Sequence, residues 1–356
     1  MAAADGSRSP VREANPLVPP EFTVIIPTRG DSPFLRAALR SALNDDADVE
    51  VVVVHDRRPG AERLPEALSE DPRVVPLESS GAGPAAARNA GIEAARGNWI
   101  ALLDDDDVWL SGHLERAREM LARYPEAVLV AGDAFLLFDR SPDGDAPVPE
   151  DPAGLPRFDP GVVEGPISLR EMLLANRILT PTVVLVRERL EDEDRFSTGL
   201  TVMEDYDLWL RLARRHPLVF DPRPSVVVRR RDDSASRDLR KMAREGIEVL
   251  ARFRERGIPP GTLSEGELRN RLGRLWHDLA YACLVDDDVP AARRALRESA
   301  ARLPLELKNY IYFLVGALPS ALRRRLFAHG RRLRPATFDR RAAERGREVR
   351  GSANSL

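Results

Sequence analysis

Short apolar runs alternate with helical repeats over the first hundred residues. Residues 22–26 form a β-rich run that Pro27 ends. Ser32-Pro33 then offers an N-cap and a first-turn proline, and Phe34, Leu35, Ala38, Leu39, Ala42 and Leu43 recur at helical spacing. A second buried strand is expected at 49–54, ending in His55-Asp56, and a third, shorter one at 73–77. The turn Gly81-Ala82-Gly83-Pro84 leads into a helix over 85–95, which Gly97 ends. Residues 98–103 are too apolar for a surface strand and run directly into four aspartates, Asp104 to Asp107. This order predicts a right-handed parallel α/β unit with the acids at the C-terminal end of a buried strand, where open α/β sheets hold ligands.

The pattern continues with a helix capped by Ser111 and running to about Tyr124, a strand at 127–138, and a segment crowded with Pro, Gly and Asp at 141–166 that suits a long mobile loop over a site. Next come a helix at 168–176, a strand at 182–186, an amphipathic helix over 201–215 and a short strand at 226–228. From about Arg240 the spacing is purely helical. Leu268, Leu272, Leu275 and Leu279 share a face, and Asp286-Asp287-Asp288 marks a solvated turn before a second helix carrying Ala292, Ala295, Leu296 and Ala300. The expected organisation is a leader over 1–20, an α/β domain over 21–239 and a helical region with a basic tail over 240–356.

Composition narrows the class. The net charge of −3, from 54 basic and 57 acidic residues, argues against a dedicated nucleic-acid binder. A single cysteine, Cys283, excludes an intramolecular disulfide framework and fits a reducing cytoplasm, where it reads as a small core residue. Residues 1–20 are rich in Ala, Pro and charge, without the apolar run of a signal peptide, and read as a disordered leader. No stretch approaches the roughly 20 apolar residues of a spanning helix. The apolar run at 310–315 and the arginines beyond it suit either peripheral contact with an anionic membrane or a core segment with a solvated helix face.

Like-charged carboxylates a few ångströms apart repel by roughly 3–4 kcal/mol per pair at an effective dielectric near 20. Asp104 to Asp107 is therefore either a solvated acidic turn or one side of a site whose counter-charge is a hard divalent cation, held by one or two carboxylates and by substrate phosphate oxygens. An EF-hand is excluded, because Val108 and Trp109 stand where its acid and glycine belong. Thr28-Arg29, His55-Asp56 and the 83–89 segment should converge on the same sheet edge. Asp56 suits a base edge or a ribose hydroxyl, and Arg29 or Arg88 a diphosphate, although Arg88 also fits a helix-surface charge. Glu204-Asp205 opens a helix, where the dipole alone favours acids; the functional alternative is a general base for an acceptor hydroxyl.

Together these residues resemble the family 2 glycosyltransferases, over about 21–236. The opening strand Phe22-Thr23-Val24-Ile25-Ile26-Pro27-Thr28, the second strand Val51 to Asp56, the helix segment Ala86-Ala87-Arg88-Asn89-Ala90-Gly91-Ile92, the acid cluster and the 203–211 segment each look like a motif of that family. The resemblance implies a GT-A fold, Rossmann-like and mostly parallel, flanked by helices. It implies a nucleoside-diphosphate sugar donor, a divalent metal (Mn2+ or Mg2+) and an inverting transfer of one sugar to an acceptor such as a saccharide, a lipid-linked saccharide or a natural product. Asp106 with Asp104 would take the metal, and Asp205, beside Glu204, would be the base. Pro27, Thr28, Arg29, Asp56, Gly83, Arg88, Asp104, Asp105 and Arg231 would line the donor, with Asp56 on the nucleobase. Asp107 is left as a polar start to the following turn.

The sequence departs from the family pattern in three places. Arg29 stands where an aromatic is common, His55 replaces the first of two paired aspartates, and Arg231 replaces a histidine before Ser234-Ala235-Ser236. No processive "QxxRW" signature is present. Two other readings are a catalytically silent nucleotide-sugar-binding scaffold, which the intact Asp205 and acid cluster disfavour, and a nucleotidyltransferase, of whose phosphate loop Thr28-Arg29-Gly30-Asp31 is a poor version.

Overall fold

A computed structural model of the chain describes residues 18–30, 32–45, 47–57, 64, 70–79, 81–139, 147–159, 161, 163–231 and 238–329. Most of the expected leader and most of the basic tail lie outside the described residues. Valine and isoleucine, stiff at χ1 and suited to a pleated surface, build the first three strands: β1 (Phe22–Thr28), β2 (Val49–Asp56) and β3 (Val74–Ser79). Helices α1 (Leu35–Leu43) and α2 (Pro84–Ala94) make the crossovers around them, and β4 (Trp99–Leu102) returns beside β1. Pairs β3–β2, β2–β1 and β1–β4 are all parallel. Two chain directions therefore part between β1 and β4, which makes the crevice at their C-terminal ends the switch point of the sheet.

The rest of the sheet is mixed. Beyond the two-residue β5 (Val108–Trp109) and α3 (His113–Arg123) lie β6 (Leu129–Phe138), β7 (Gly165–Ile167), α4 (Leu169–Leu174), β8 (Val184–Val186), α5 (Glu204–Ala213) and β9 (Leu218–Arg230). Among the described residues they complete a nine-stranded sheet of order β3-β2-β1-β4-β8-β6-β9-β5, with β7 on β9. Strand β8 lies antiparallel to both β4 and β6, while β6 and β9 are parallel.

Alternation along the strands sends side chains to two cores. Ile25, Val52, Ile100 and Leu102 meet α2, α5 and the helical region, whereas Val24, Ile26, Val51 and Leu103 meet Leu35 and Ala38 of α1 and Leu114 of α3. Gly91 lets α2 lie directly on β1, because a Cβ there would come within 2.5 Å of Ile25 Cγ2. The helical region comprises α6 (Leu239–Glu255), α7 (Glu265–Val285), α8 (Val289–Arg302), α9 (Leu307–Val315) and α10 (Ser320–His329). Val249, Leu250, Phe253, Leu268, Leu272 and Leu275 belong to the same core as Phe196 and Trp209, so α6 and α7 extend the hydrophobic interior of the sheet.

Several local expectations shift. Gly112, left-handed at φ 78°, caps α3 in place of Ser111. Ser32 accepts from Phe34 N (3.2 Å), but the helix begins only at Leu35. The short strand expected at 226–228 is the end of the longer β9, whose earlier half Pro222 and Pro224 disguise in the sequence. The segment expected to be a loop over 141–166 is tied down in its second half: Arg157 pairs with buried Asp133 at 2.7 Å, and Phe158 N donates to Ala134 O. Residues 140–146 lie outside the described residues. The Asp286-Asp287-Asp288 turn is bound by cations, with Arg240 on Asp288 (2.6 Å) and Arg323 on Asp287.

Candidate active site

Segments at the C-terminal ends of β1, β2 and β4 line the crevice at the switch point. Thr28 Oγ1, at the end of β1, donates to Asp105 Oδ2 at 2.6 Å, and exposed Arg29 comes next. Asp56 is buried at the end of β2, where Oδ1 accepts from Gly83 N at 3.1 Å. Gly83 is the N-cap of α2 at φ 99°, a conformation that favours glycine, and Pro84 occupies the first turn. Pro27 is half-buried and pairs with Val54. The sheet thus brings Thr28, Asp56, Gly83 and the acid cluster to one edge.

The four aspartates have separate surroundings. Asp104 Oδ1 accepts from Arg88 Nη2 at 2.6 Å. Burial and the neighbouring Asp104 raise the pKa of Asp105, against the hydrogen bond from Thr28 and the charges of Arg231 and Arg29. Asp106 is pushed up to about 7, first by burial and then by Asp104 and Asp105, with Arg231 opposing. Asp107 also moves well above the usual carboxylate range through burial and Asp106, and its Oδ1 accepts from Arg229 N at 2.8 Å. Asp107 is therefore a buried tie between the acid loop and β9, rather than the polar start of a turn.

Arg88 is 5% exposed, which removes its reading as a surface charge. Its Nη1 donates to Glu204 Oε1 at 2.9 Å while Nη2 serves Asp104, and the guanidinium lies over the Phe196 ring at 5.4 Å. Burial lowers the pKa of this group, but Asp104 and Glu204 outweigh it and the net shift is upward. One planar fork spans two elements far apart in sequence, a geometry that a lysine point charge does not reproduce.

Asp205 stands in the first turn of α5. Its Oδ1 accepts from Tyr206 N at 2.6 Å and its Oδ2 from Thr180 Oγ1 at 3.1 Å. Burial, then the charge of Glu204, raises its pKa to about 7, against Arg88 and the two hydrogen bonds. Glu204 Oε2 and Arg88 Nε are buried without a hydrogen-bond partner among the described residues. Helix α5 has no side-chain cap of its own at Met203. Instead Glu245 of α6 accepts from Thr201 N (2.9 Å), Thr201 Oγ1 (2.8 Å), Val202 N (2.9 Å) and Met203 N (3.2 Å).

Sequence reasoning gave no role of their own to Glu245, Thr180, Asn89 and Arg229. Asn89 is locked to Phe196 by a reciprocal pair, Nδ2 to the carbonyl (2.9 Å) and Oδ1 from the N–H (2.8 Å). Arg229 and Arg231 both lie over the Phe34 ring, at 4.2 and 5.4 Å. Asn89, beside Arg88 in the 87–91 segment, was the one with a local signal. Residues 234–236 lie outside the described residues.

Among the described residues no three His, Cys, Asp or Glu side chains converge closely enough to hold an ion by themselves. The donor set nonetheless fits a hard cation. Burial and mutual repulsion raise the pKa of Asp105, Asp106 and Asp107 despite Arg29, Arg230 and Arg231, so a divalent charge beside them would be stabilising, and oxygen ligands from a bound diphosphate would complete the coordination.

The sequence model described as glycosyl transferase family 2 matches residues 23–136. The succinoglycan biosynthesis protein ExoO of Rhizobium meliloti is 30% identical over 238 residues, covering 62% of this chain and 64% of that protein. The putative colanic acid biosynthesis glycosyl transferase WcaA of Escherichia coli is 26% identical over 206 residues, covering 56% and 66%. The chain thus spans slightly less than two thirds of the length of these relatives. Among solved structures, S. aureus TarS 1-349 in complex with UDP-GlcNAc aligns with a TM-score of 0.53 at 16% identity, covering 87% of this chain and 92% of that one. The mannosyltransferase PcManGT of Pyrobaculum calidifontis, in complex with GDP-Man and Mn2+, aligns at 0.54 and 19% identity, covering 90% and 88%. The parallel β3-β2-β1-β4 half, the acids after β4 and these likenesses lead to one conclusion: residues 23–136 match glycosyl transferase family 2, and the chain has the GT-A fold.

Proposed function

We propose that the protein transfers a single sugar from a nucleoside-diphosphate sugar to an acceptor hydroxyl, with inversion at the anomeric carbon. The observation that carries this reading is Arg88, a buried guanidinium that joins half-buried Asp104 at the donor edge (2.6 Å) to Glu204 beside Asp205 (2.9 Å). The nucleotide-sugar complexes of the two solved structures and the polysaccharide biosynthesis named for the relatives support it.

In this reading residues 21–239 carry the reaction. Asp205 removes the acceptor's proton as that oxygen bonds to the anomeric carbon and the bond to the diphosphate breaks on the opposite face. A carboxylate whose pKa is raised to about 7 is well matched to holding that proton near neutrality. Glu204 keeps Arg88 in place and supports the charge of the site. Asp56 and Gly83 meet the nucleoside, while Thr28, Arg29 and Arg231 face the phosphates; Pro27 and Asp105 shape the edge between them. Asp106 and Asp104 would hold a divalent cation, Mn2+ or Mg2+, which supplies charge stabilisation for the departing diphosphate.

The test is Asp205→Asn. The variant should bind its donor, found by a thermal-shift panel of nucleoside diphosphates and nucleotide sugars with Mn2+, as the parent does, while transfer falls by about a hundredfold or more. A variant as active as the parent would move the base elsewhere, and the absence of any nucleotide-dependent shift in the parent would overturn the donor class.

A further inference from the structure

Helix α9 packs with its apolar stripe outward. Asn309 is 0% exposed: its Oδ1 accepts from Ser299 Oγ at 3.0 Å and meets His277 Nδ1 at 2.8 Å. Tyr312, also buried, stacks on His277 with ring centroids 4.9 Å apart. These contacts fix the rotation of the helix about its axis. They leave Leu307, Tyr310, Ile311 and Leu314 on the outer face at i, i+3, i+4 and i+7, with Leu307 74% and Leu314 72% exposed. Leu322 and Leu326, one turn apart on α10, are exposed as well. Soluble proteins leave single apolar side chains in water routinely, but a contiguous stripe marks an interaction surface.

Charge identifies the partner. Lys308, Arg324 and Arg325 are exposed beside these residues in sequence, Arg324 also lying 3.6 Å from Asp287, against one exposed acid, Glu306, and residues 323–350 hold eleven arginines against three acids. Residues 330–350 lie outside the described residues and contribute through their charge alone. No described helix is long and apolar enough to cross a membrane. We propose that the α9 face lies in the surface of an anionic lipid bilayer, with Leu307, Ile311 and Leu314 below the head groups and Lys308 and Arg324 near the lipid phosphates. An amphipathic face with an arginine excess is what such a surface binds, since area burial and electrostatic attraction add. A second copy of the chain is a poorer occupant, because each copy would bring the same positive excess to the shared face. Lipid binding at α9 is independent of the proposed sugar transfer.

Co-sedimentation tests it, with the full chain and vesicles of phosphatidylcholine alone or mixed with phosphatidylglycerol. The parent should sediment with the mixed vesicles, less so at raised salt, and not with phosphatidylcholine alone. Leu307→Ser/Ile311→Ser/Leu314→Ser changes only solvent-facing or half-exposed positions and should keep the parent's melting temperature while its partitioning falls about tenfold or more. Lys308→Glu/Arg324→Glu should weaken binding in the same direction without touching the apolar face. A parent that stays in the supernatant with mixed vesicles, or a serine variant that binds as well as the parent, would overturn the proposal. So would light scattering that finds a parental dimer which the serine variant dissociates. Sedimentation reads none of the chemistry, so its outcome is separate from that of the transferase reading.

Discussion

Glu245→Ala removes one carboxylate that four donors share, and those donors belong to the three residues that lead into α5, the helix of Asp205. Glu245 is buried on α6, and α5 has no capping side chain of its own. A hydrogen bond to a charged group contributes about 1.5–3 kcal/mol, and a buried donor left unsatisfied costs about 1–3 kcal/mol. Water entering the vacated space would return part of this, so about 3–5 kcal/mol of destabilisation is expected for alanine. Glutamine keeps the volume and one carbonyl oxygen, which can accept two of the four bonds, and about half that loss is expected. The functional consequence is local. Loosening 201–203 shifts Asp205 relative to Thr180 and Arg88 while β1, β2 and β4 keep the donor edge. Transfer should therefore fall by about 10- to 100-fold in the alanine variant, at about 1.4 kcal/mol per factor of ten, with the nucleotide dissociation constant nearly unchanged. Glutamine should restore most of the rate. Urea unfolding gives the stability arm, and donor titration with single-turnover transfer gives the functional arm. A variant that is destabilised yet transfers at the parent's rate would refute the positioning argument, as would equal losses in donor affinity and rate.

Arg88→Lys keeps the charge but cannot span Asp104 and Glu204 with one planar group, so transfer should fall by about a hundredfold or more in steady-state kinetics while the far-ultraviolet circular dichroism stays that of the parent. The pH profile of transfer should rise through about 7 and level off above it, because Asp205 accepts no proton while protonated; a flat profile between about pH 5.5 and about pH 8.5, roughly 1.5 units either side of that pKa, would dissociate the base from the rate. Asp278 of α7 has its pKa raised to about 7 by burial, and its Oδ2 lacks a hydrogen-bond partner among the described residues. The folded state thus binds the proton more tightly than the unfolded chain, whose ordinary value is 3.8, and stability falls as pH rises from about 4 to about 7. Asp278→Asn should be worth little at about pH 4 and should raise the melting temperature relative to the parent at about pH 8, measured by calorimetry. An effect independent of pH would show that burial is not the cause.

The strand ends were legible because parallel sheets write themselves plainly. Buried on both faces, β1, β2 and β4 are almost wholly apolar, Thr23 and Glu50 apart, and polarity resumes at Thr28, His55-Asp56 and Asp104. The same logic failed at β9, where two prolines interrupt the run, and at β8, whose three residues give no sign that they lie antiparallel between β4 and β6. Arg88 is the instructive residue of the site. On a helix it is as ordinary as any surface arginine, and only the packing of α2 against β1 at Gly91 puts it under the acid loop and against Glu204.

Local pattern alone set the α/β class, the sheet edge of the candidate site and the residue types gathered there, because secondary-structure period and abrupt changes of polarity are local properties. Tertiary structure decided which charges share a partner. Arg88 and Glu204 lie 116 residues apart in the chain, and no local pattern encodes a guanidinium between Glu204 and Asp104. It also decided that Asp107 is buried against β9, that a glutamate from α6 caps α5 ahead of Asp205, and that α9 turns its leucines outward. Each of these is set by long-range packing, which fixes the rotation and separation of elements whose own sequences are compatible with several.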